Sequence, residues 1–252
     1  MMKKLIFAII IYFVSLNLFS QNSNKISGGL YIGTGFSWSA SDFKQIEREG
    51  TKFNYGIGLT MDANIINNFA FSLSFGYYQL GTKFLYKHGG EELIFENSEI
   101  DKLKFISANS KIMYNMHNLE LPIGFKGKTD EINLANLPFT FFLKASIVPM
   151  FNLKSFGNVK GIGLRDTVEI SEKDYKKELI TENICRFQLA WQLSGGMEMG
   201  ISGSTRLLVE IFYTGGIVDI DKTKVYKNNN KDEALDMKVR MNNLGLKVGI
   251  LF

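Results

Sequence analysis

From residue 29 onward, large apolar and small polar side chains alternate with a period of two. At that spacing, neighbours on an extended strand point to opposite faces. Leu30, Ile32, Phe36 and Trp38 oppose Gly29, Gly33, Gly35 and Ser37. Phe53, Tyr55, Ile57, Leu59 and Met61 oppose Asn54, Gly56, Gly58, Thr60 and Asp62. The same rhythm returns over 69–77, 119–125, 141–147, 187–199, 207–213 and 244–252. It predicts about eight strands and no long helix. The connections are uneven. Asn64–Asn68 and Gly200–Ser204 are short and Gly127–Pro138 is moderate, whereas Ser39–Lys52, Gly81–Met116, Lys154–Ile184 and Gly215–Arg240 are long and polar. Tight turns at one end and long loops at the other predict an all-β, up-and-down antiparallel barrel with both termini on the same side.

Side-chain volume decides which face looks outward. The lumen of an eight-stranded barrel is narrow and filled by side chains. Leucines and aromatics from every strand would overfill it, whereas Gly, Ser, Thr, Ala and Asn fit. The apolar parity is therefore expected outside, facing hydrocarbon, which makes the barrel transmembrane. Within the strand cores this parity carries no Lys, Arg, Asp or Glu, and one Arg or Lys there would cost about 2–4 kcal/mol at mid-bilayer. Trp38, Tyr55, Tyr77 and Tyr213 are candidates for the interfacial aromatic girdles. The inward parity carries both signs of charge, namely Asp62, Glu120, Glu198 and Glu210 with Lys126, Lys144, Arg206 and Lys247. An unpaired buried charge is costly, so luminal pairs are expected: Glu120 with Lys144, and Glu210 with Lys247.

The amino terminus changes the picture of location. In MMKKLIFAIIIYFVSLNLFSQN, two lysines precede an apolar run of about ten residues and a more polar end, the layout of a cleaved secretory signal. The run is too short for a spanning helix, which needs roughly 20 residues. Residues 1–20 are thus expected to be a signal peptide and 21–252 an outer-membrane β-barrel domain. The carboxyl end, NNLGLKVGILF, stops on an aromatic in mid-strand. Barrel closure leaves no edge to blunt, and Phe252, Ile250 and Val248 (with Leu246) fit a signal read by outer-membrane assembly machinery. The expected partners are that machinery, outer-membrane lipid and lipopolysaccharide.

Composition adds exclusions. Net charge is +4 over 252 residues, and Lys3 and Lys4 belong to the expected leader; nucleic-acid binding needs a basic face and is not expected. Aromatics reach 13 % while Pro numbers 3, a balance that suits tightly packed short strands. A lone cysteine, Cys185, excludes an intramolecular disulfide and is expected to act as a small apolar residue. Gly29, Gly33 and Gly35 lack the third glycine and the following helix of a dinucleotide-binding loop. His88 beside Glu91 and Glu92 could approach a metal, yet with His117 it completes the histidine inventory, and a solvated loop accounts for it. No cofactor, metal or catalytic site is expected. Lys160, Arg165, Lys176 and Lys177 could contact lipid phosphates.

Two stretches, NLELPIGFKGK and GGMEMGISGSTRLLVEIFYTGGIVDI, resemble the PorT-like outer-membrane β-barrel family. Leu119, Glu120, Leu121 and Pro122 match its Leu-Glu-apolar-Pro run. Glu210, Tyr213, Gly215, Gly216 and Ile217 match its late hairpin, while Phe212 stands where the family often has Arg. The resemblance implies an outer-membrane location and a part in protein secretion. The function expected is that of a non-enzymatic barrel with a filled lumen, structural or interactive through its loops. Its alternatives are an accessory that binds secretion-machinery proteins and a rim-loop enzyme.

Overall fold

The computed structural model describes residues 26–41, 46–87, 91–94, 104–134, 137–164, 172–222, 224–226, 234–236 and 238–252. The expected leader and His88 lie outside the described residues. Eight long strands form the body: β1 (Ile26–Ser41), β2 (Lys52–Ile66), β3 (Phe69–Tyr86), β4 (Lys104–Glu120, resumed as Ile123–Lys128), β5 (Leu137–Leu164), β6 (Phe187–Ser202), β7 (Thr205–Gly216) and β8 (Val239–Leu251). Each pairs antiparallel with the next, and β8 returns to β1 from Gly29 opposite Leu251 to Ser41 opposite Val239. Backbone bonds join Gly28 and Phe252 in both directions, at 2.7 and 3.2 Å. The ring is closed, so among the described residues none of the eight long strands is left with an open edge toward hydrocarbon.

Local chemistry accounts for the departures from regularity. Pro122 lacks an N–H, so β4 breaks there. The ladder survives because the Leu121 N–H donates to the Pro149 carbonyl and the Ser74 N–H to the Pro122 carbonyl, each at 2.9 Å. The β6–β7 turn places Gly203 at φ 57°, a left-handed conformation that glycine adopts without strain.

The strands run further than their alternation indicates. β3 continues to Tyr86, β4 begins at Lys104 and β5 reaches Leu164, where Glu172–Leu179 folds back on it. The expected loops Gly81–Met116 and Lys154–Ile184 are thus largely sheet. A strand outside the bilayer has water on its outer face, and polar residues there hide the two-residue rhythm. Outward Lys111, Asn115 and His117 on β4 are examples.

The faces are disposed as the volume argument requires. Leu30, Ile32, Phe36, Ile57, Leu143 and Ile211 are exposed on the outer wall, while Asn54, Ser72, Ser74, Gln192 and Asn243 are buried inside. The lumen nevertheless also takes Tyr31, Tyr78, Phe142 and Phe212, more bulk than small residues alone. Glycine makes the room: a Cβ on Gly33 would overlap the Tyr78 hydroxyl, and one on Gly58 would overlap the Tyr31 ring. The girdle candidates lie on the outer wall, where Tyr213 packs between Trp38 and Trp191 with ring centroids 6.1 and 5.3 Å away.

Candidate functional site

The lumen is filled in three tiers. The tier nearest the tight turns is ionic. Lys126 reaches Asp62 at 2.6 Å and also contacts Glu198; Lys128 stands 3.7 Å from Glu198, and Arg206 stands 3.4 Å from it. Four strands contribute, β2, β4, β6 and β7, so the cluster ties opposite walls together.

In the middle tier, Glu210 accepts from two lysines, Lys144 at 3.0 Å and Lys247 at 3.2 Å. Glu210 and Lys247 are direct partners in the β7–β8 register. The expected partnership of Glu120 with Lys144 is not formed. Register is the reason: Glu120 stands opposite Met150, and Lys144 stands opposite Lys126 and Ser194. Glu120 has no ion-pair partner among the described residues and lies beside Tyr31 and Tyr78. The lysines also use aromatic faces, Lys126 over Phe142 at 4.1 Å and Lys247 over Phe212 at 4.5 Å. Phe212 is thus the wall against which Lys247 rests.

The third tier is an apolar plug beneath the long loops. Ile180, Ile184 and Ile220 descend from the β5–β6 and β7–β8 connections and pack in one cluster with Phe84, Ile112, Tyr114 and Met116. The two connections hold each other. Ile184 and Asp221 form a bridge, the Cys185 N–H donates to the Ile220 carbonyl at 2.8 Å, and the Lys222 N–H donates to the Asn183 carbonyl at 2.7 Å. Tyr114 pins the plug to the barrel, its hydroxyl donating to Asp221 Oδ2 at 2.8 Å. By their polar composition these segments read as loops. The signal was there, in the apolar Ile180, Ile184, Ile217 and Ile220 interrupting polar runs. Cys185 sits at the plug, where burial pushes its thiol up against the opposing pull of Lys222.

The remaining sequence-singled residues are dispersed. Ile250 and Phe252 are exposed on the outer wall and Val248 is half-buried there, on the last strand. Glu91 and Glu92 belong to a short strand paired with Lys104–Ile106 of β4. Lys160 lies on β5 and Lys176 and Lys177 on the strand folded against it; Arg165 lies outside the described residues. His117 faces outward, its Nδ1 2.5 Å from the Tyr77 hydroxyl. At the rim Glu47 pairs with Lys87 and Glu49 with Lys111, and Asp219 stands 3.7 Å from Arg240.

A closed antiparallel ring, apolar outside and ionic, aromatic and plugged within, defines an integral outer-membrane β-barrel protein. The chain belongs to the family described as outer membrane protein beta-barrel domain, whose model matches residues 19–222, and it resides in the outer membrane. Among solved structures it is similar to the outer membrane protease OmpT from Escherichia coli, at 12 % identity and TM-score 0.39, covering 92 % of this chain and 99 % of that one. It is also similar to Ail, the attachment invasion locus protein of Yersinia pestis, at 12 % identity and TM-score 0.37, covering 90 % and 99 %. Neisserial surface protein A is similar at 10 % identity and TM-score 0.36, covering 88 % and 95 %. No curated protein matches.

Proposed function

We propose that this protein is a non-enzymatic barrel whose lumen is closed, and that it works through its outer wall and extracellular end as a structural or binding element. The observation that carries this reading is the filling of the lumen at three heights, by the Lys126–Asp62 pair, by Glu210 and its two lysines, and by the Ile180–Ile184–Ile220 plug. In planar bilayers the full mature chain is expected to show no steady conductance; a stable open channel would overturn the closed lumen. The engaged acids at the rim support the non-enzymatic part, because Glu47, Glu49 and Asp219 all face cations. Hydrolase activity abolished by His117→Ala would refute it.

A second reading makes the protein a PorT-like accessory of secretion. It is favoured by the matched residues that shape the barrel itself. Pro122 breaks β4, and Gly215 lets the Trp191 indole lie against the β7 backbone. Ile217 turns the chain toward the plug, its N–H donating to the Leu189 carbonyl at 2.9 Å. A stoichiometric secretion protein recovered with the barrel from gently solubilised outer membranes would select this reading.

A further inference from the structure

The extracellular halves of β2 to β5 carry a group of cations on the outer wall. There Lys52, Lys83 and Lys154 face outward with Asn115 and His117. None of the three lysines has an acidic partner among the described residues; Lys83 is close enough to act on Lys52, and Lys52 and Lys154 both act on His117.

The arrangement is built by the backbone. Pairing with β3 lapses between Arg48, opposite Phe84, and Tyr55, opposite Gln79, with Gly50 at φ 105° in the gap, and such a break re-aims the side chains within it. Lys52 then lies flat across β3, over Gly81, where any Cβ would overlap its stem. Its ammonium ends at Asn115 Oδ1 on β4. Lys154 follows a register shift in the β4–β5 pairing, which turns it outward beside Leu153. Its Nζ sits 4.8 Å from the Phe156 ring centroid, and Phe156 meets His117 edge-on at 5.9 Å. Toward the bilayer centre, the same wall continues as Tyr77, Phe75, Leu119 and Phe151.

Three cations without an acidic partner among the described residues, bordered by the Glu49–Lys111 pair, stand directly above an apolar strip, and the two parts complement one molecule that has both, an acylated lipid with a phosphorylated head. We propose that this wall is a binding site for a phosphorylated glycolipid of the outer leaflet. Lys52, Lys83 and Lys154 grip its phosphate, and its acyl chains run down the strip beside Phe75 and Phe151. The inference rests on the outer-membrane placement and is independent of whether the lumen conducts.

The test uses the full mature chain, folded in detergent, with native mass spectrometry reading retained diphosphoryl lipid A. Heat-modifiable gel mobility checks that each variant is folded. The triple variant Lys52→Gln, Lys83→Gln, Lys154→Gln is expected to lose about tenfold or more in retention, as the loss of charge-assisted contacts implies. Dephosphorylated lipid A should bind the wild type no better than lipid A binds the triple variant. Should the triple variant not fold, exposed Lys154→Gln alone is expected to give a partial loss. Wild-type retention by a folded variant, or equal binding of the dephosphorylated lipid, overturns the proposal. So does displacement of lipid A by inorganic phosphate or heparin alone, which would make this a soluble-anion site.

Discussion

Glu210 of β7 and Lys247 of β8 stand opposite each other in register with Oε1 and Nζ 3.2 Å apart, yet the carboxylate is shared with Lys144 of β5 at 3.0 Å. One anion thus holds two buried cations from different parts of the ring. Glu210→Gln leaves both lysines without their counterion, and unpaired buried charge costs about 3–5 kcal/mol. Urea unfolding in detergent is expected to show that loss. Adding Lys144→Met and Lys247→Met to the same chain should recover stability, because neither lysine is then left without its counterion. Equal midpoints for the single and triple variants would show that the three do not act as a unit.

Gly33 of β1 and Tyr78 of β3 are matched by shape. The three atoms nearest a Cβ at Gly33 all belong to Tyr78, its hydroxyl first. Overpacking of this kind costs about 1–3 kcal/mol. Gly33→Ala is therefore expected to lower the unfolding midpoint, and Tyr78→Phe in the same chain to restore part of it by removing the overlapped oxygen. The same Tyr78→Phe change without Gly33→Ala should not stabilise to that extent.

The plug hangs on the Tyr114–Asp221 hydrogen bond. Tyr114→Phe removes one hydrogen bond to a buried carboxylate, at a cost of about 1–3 kcal/mol. Hydrogen exchange should quicken at the Cys185, Ile220 and Lys222 amides, which bind the two connections together and to the barrel, while β7 and β8 mid-strand amides stay protected. Uniform acceleration across the barrel would mean that the plug has no local stability of its own.

Cys185 reports on the same region through pH. Burial raises its thiol, Asp221 and Asp219 add to the rise, and Lys222 opposes them. The thiolate is the reactive form, so maleimide labelling of the folded protein at neutral pH should be slower than in urea and should rise steeply with pH. Removing negative charge favours the thiolate, so Asp219→Asn should speed labelling at a given pH. Lys222→Gln should slow it. Labelling that ignores both changes would place the thiol outside their field.

Much of the architecture is legible in the residues themselves. Alternation between Phe53–Met61 and Asn54–Asp62 states that two faces exist, and side-chain volume states which of them can enter a narrow ring. Those are local properties of consecutive residues, so a single strand carries them. The outward position of Leu143 and Ile211 and the inward position of Glu210 and Lys247 follow from the same logic. Glycine's part was only half visible: Gly33 and Gly58 read as small luminal residues, but not as the seats of Tyr78 and Tyr31.

Pairings between distant charges were beyond the sequence, because parity gives a face and not a height. Glu120 and Lys144 share the inward face of neighbouring strands, but the β4–β5 register sets Glu120 against Met150 and sends Lys144 to Glu210. The plug and the Lys52–Lys83–Lys154 patch depend on register too, and on breaks in it. Gly50 and the shift beside Lys154 turn side chains that alternation alone would leave unplaced, and Ile180, Ile184 and Ile220 acquire a core only when two loops meet above the ring. Sequence determines which way a side chain faces along its own strand; the closed ring decides what it meets, because that depends on the sliding of whole strands past one another.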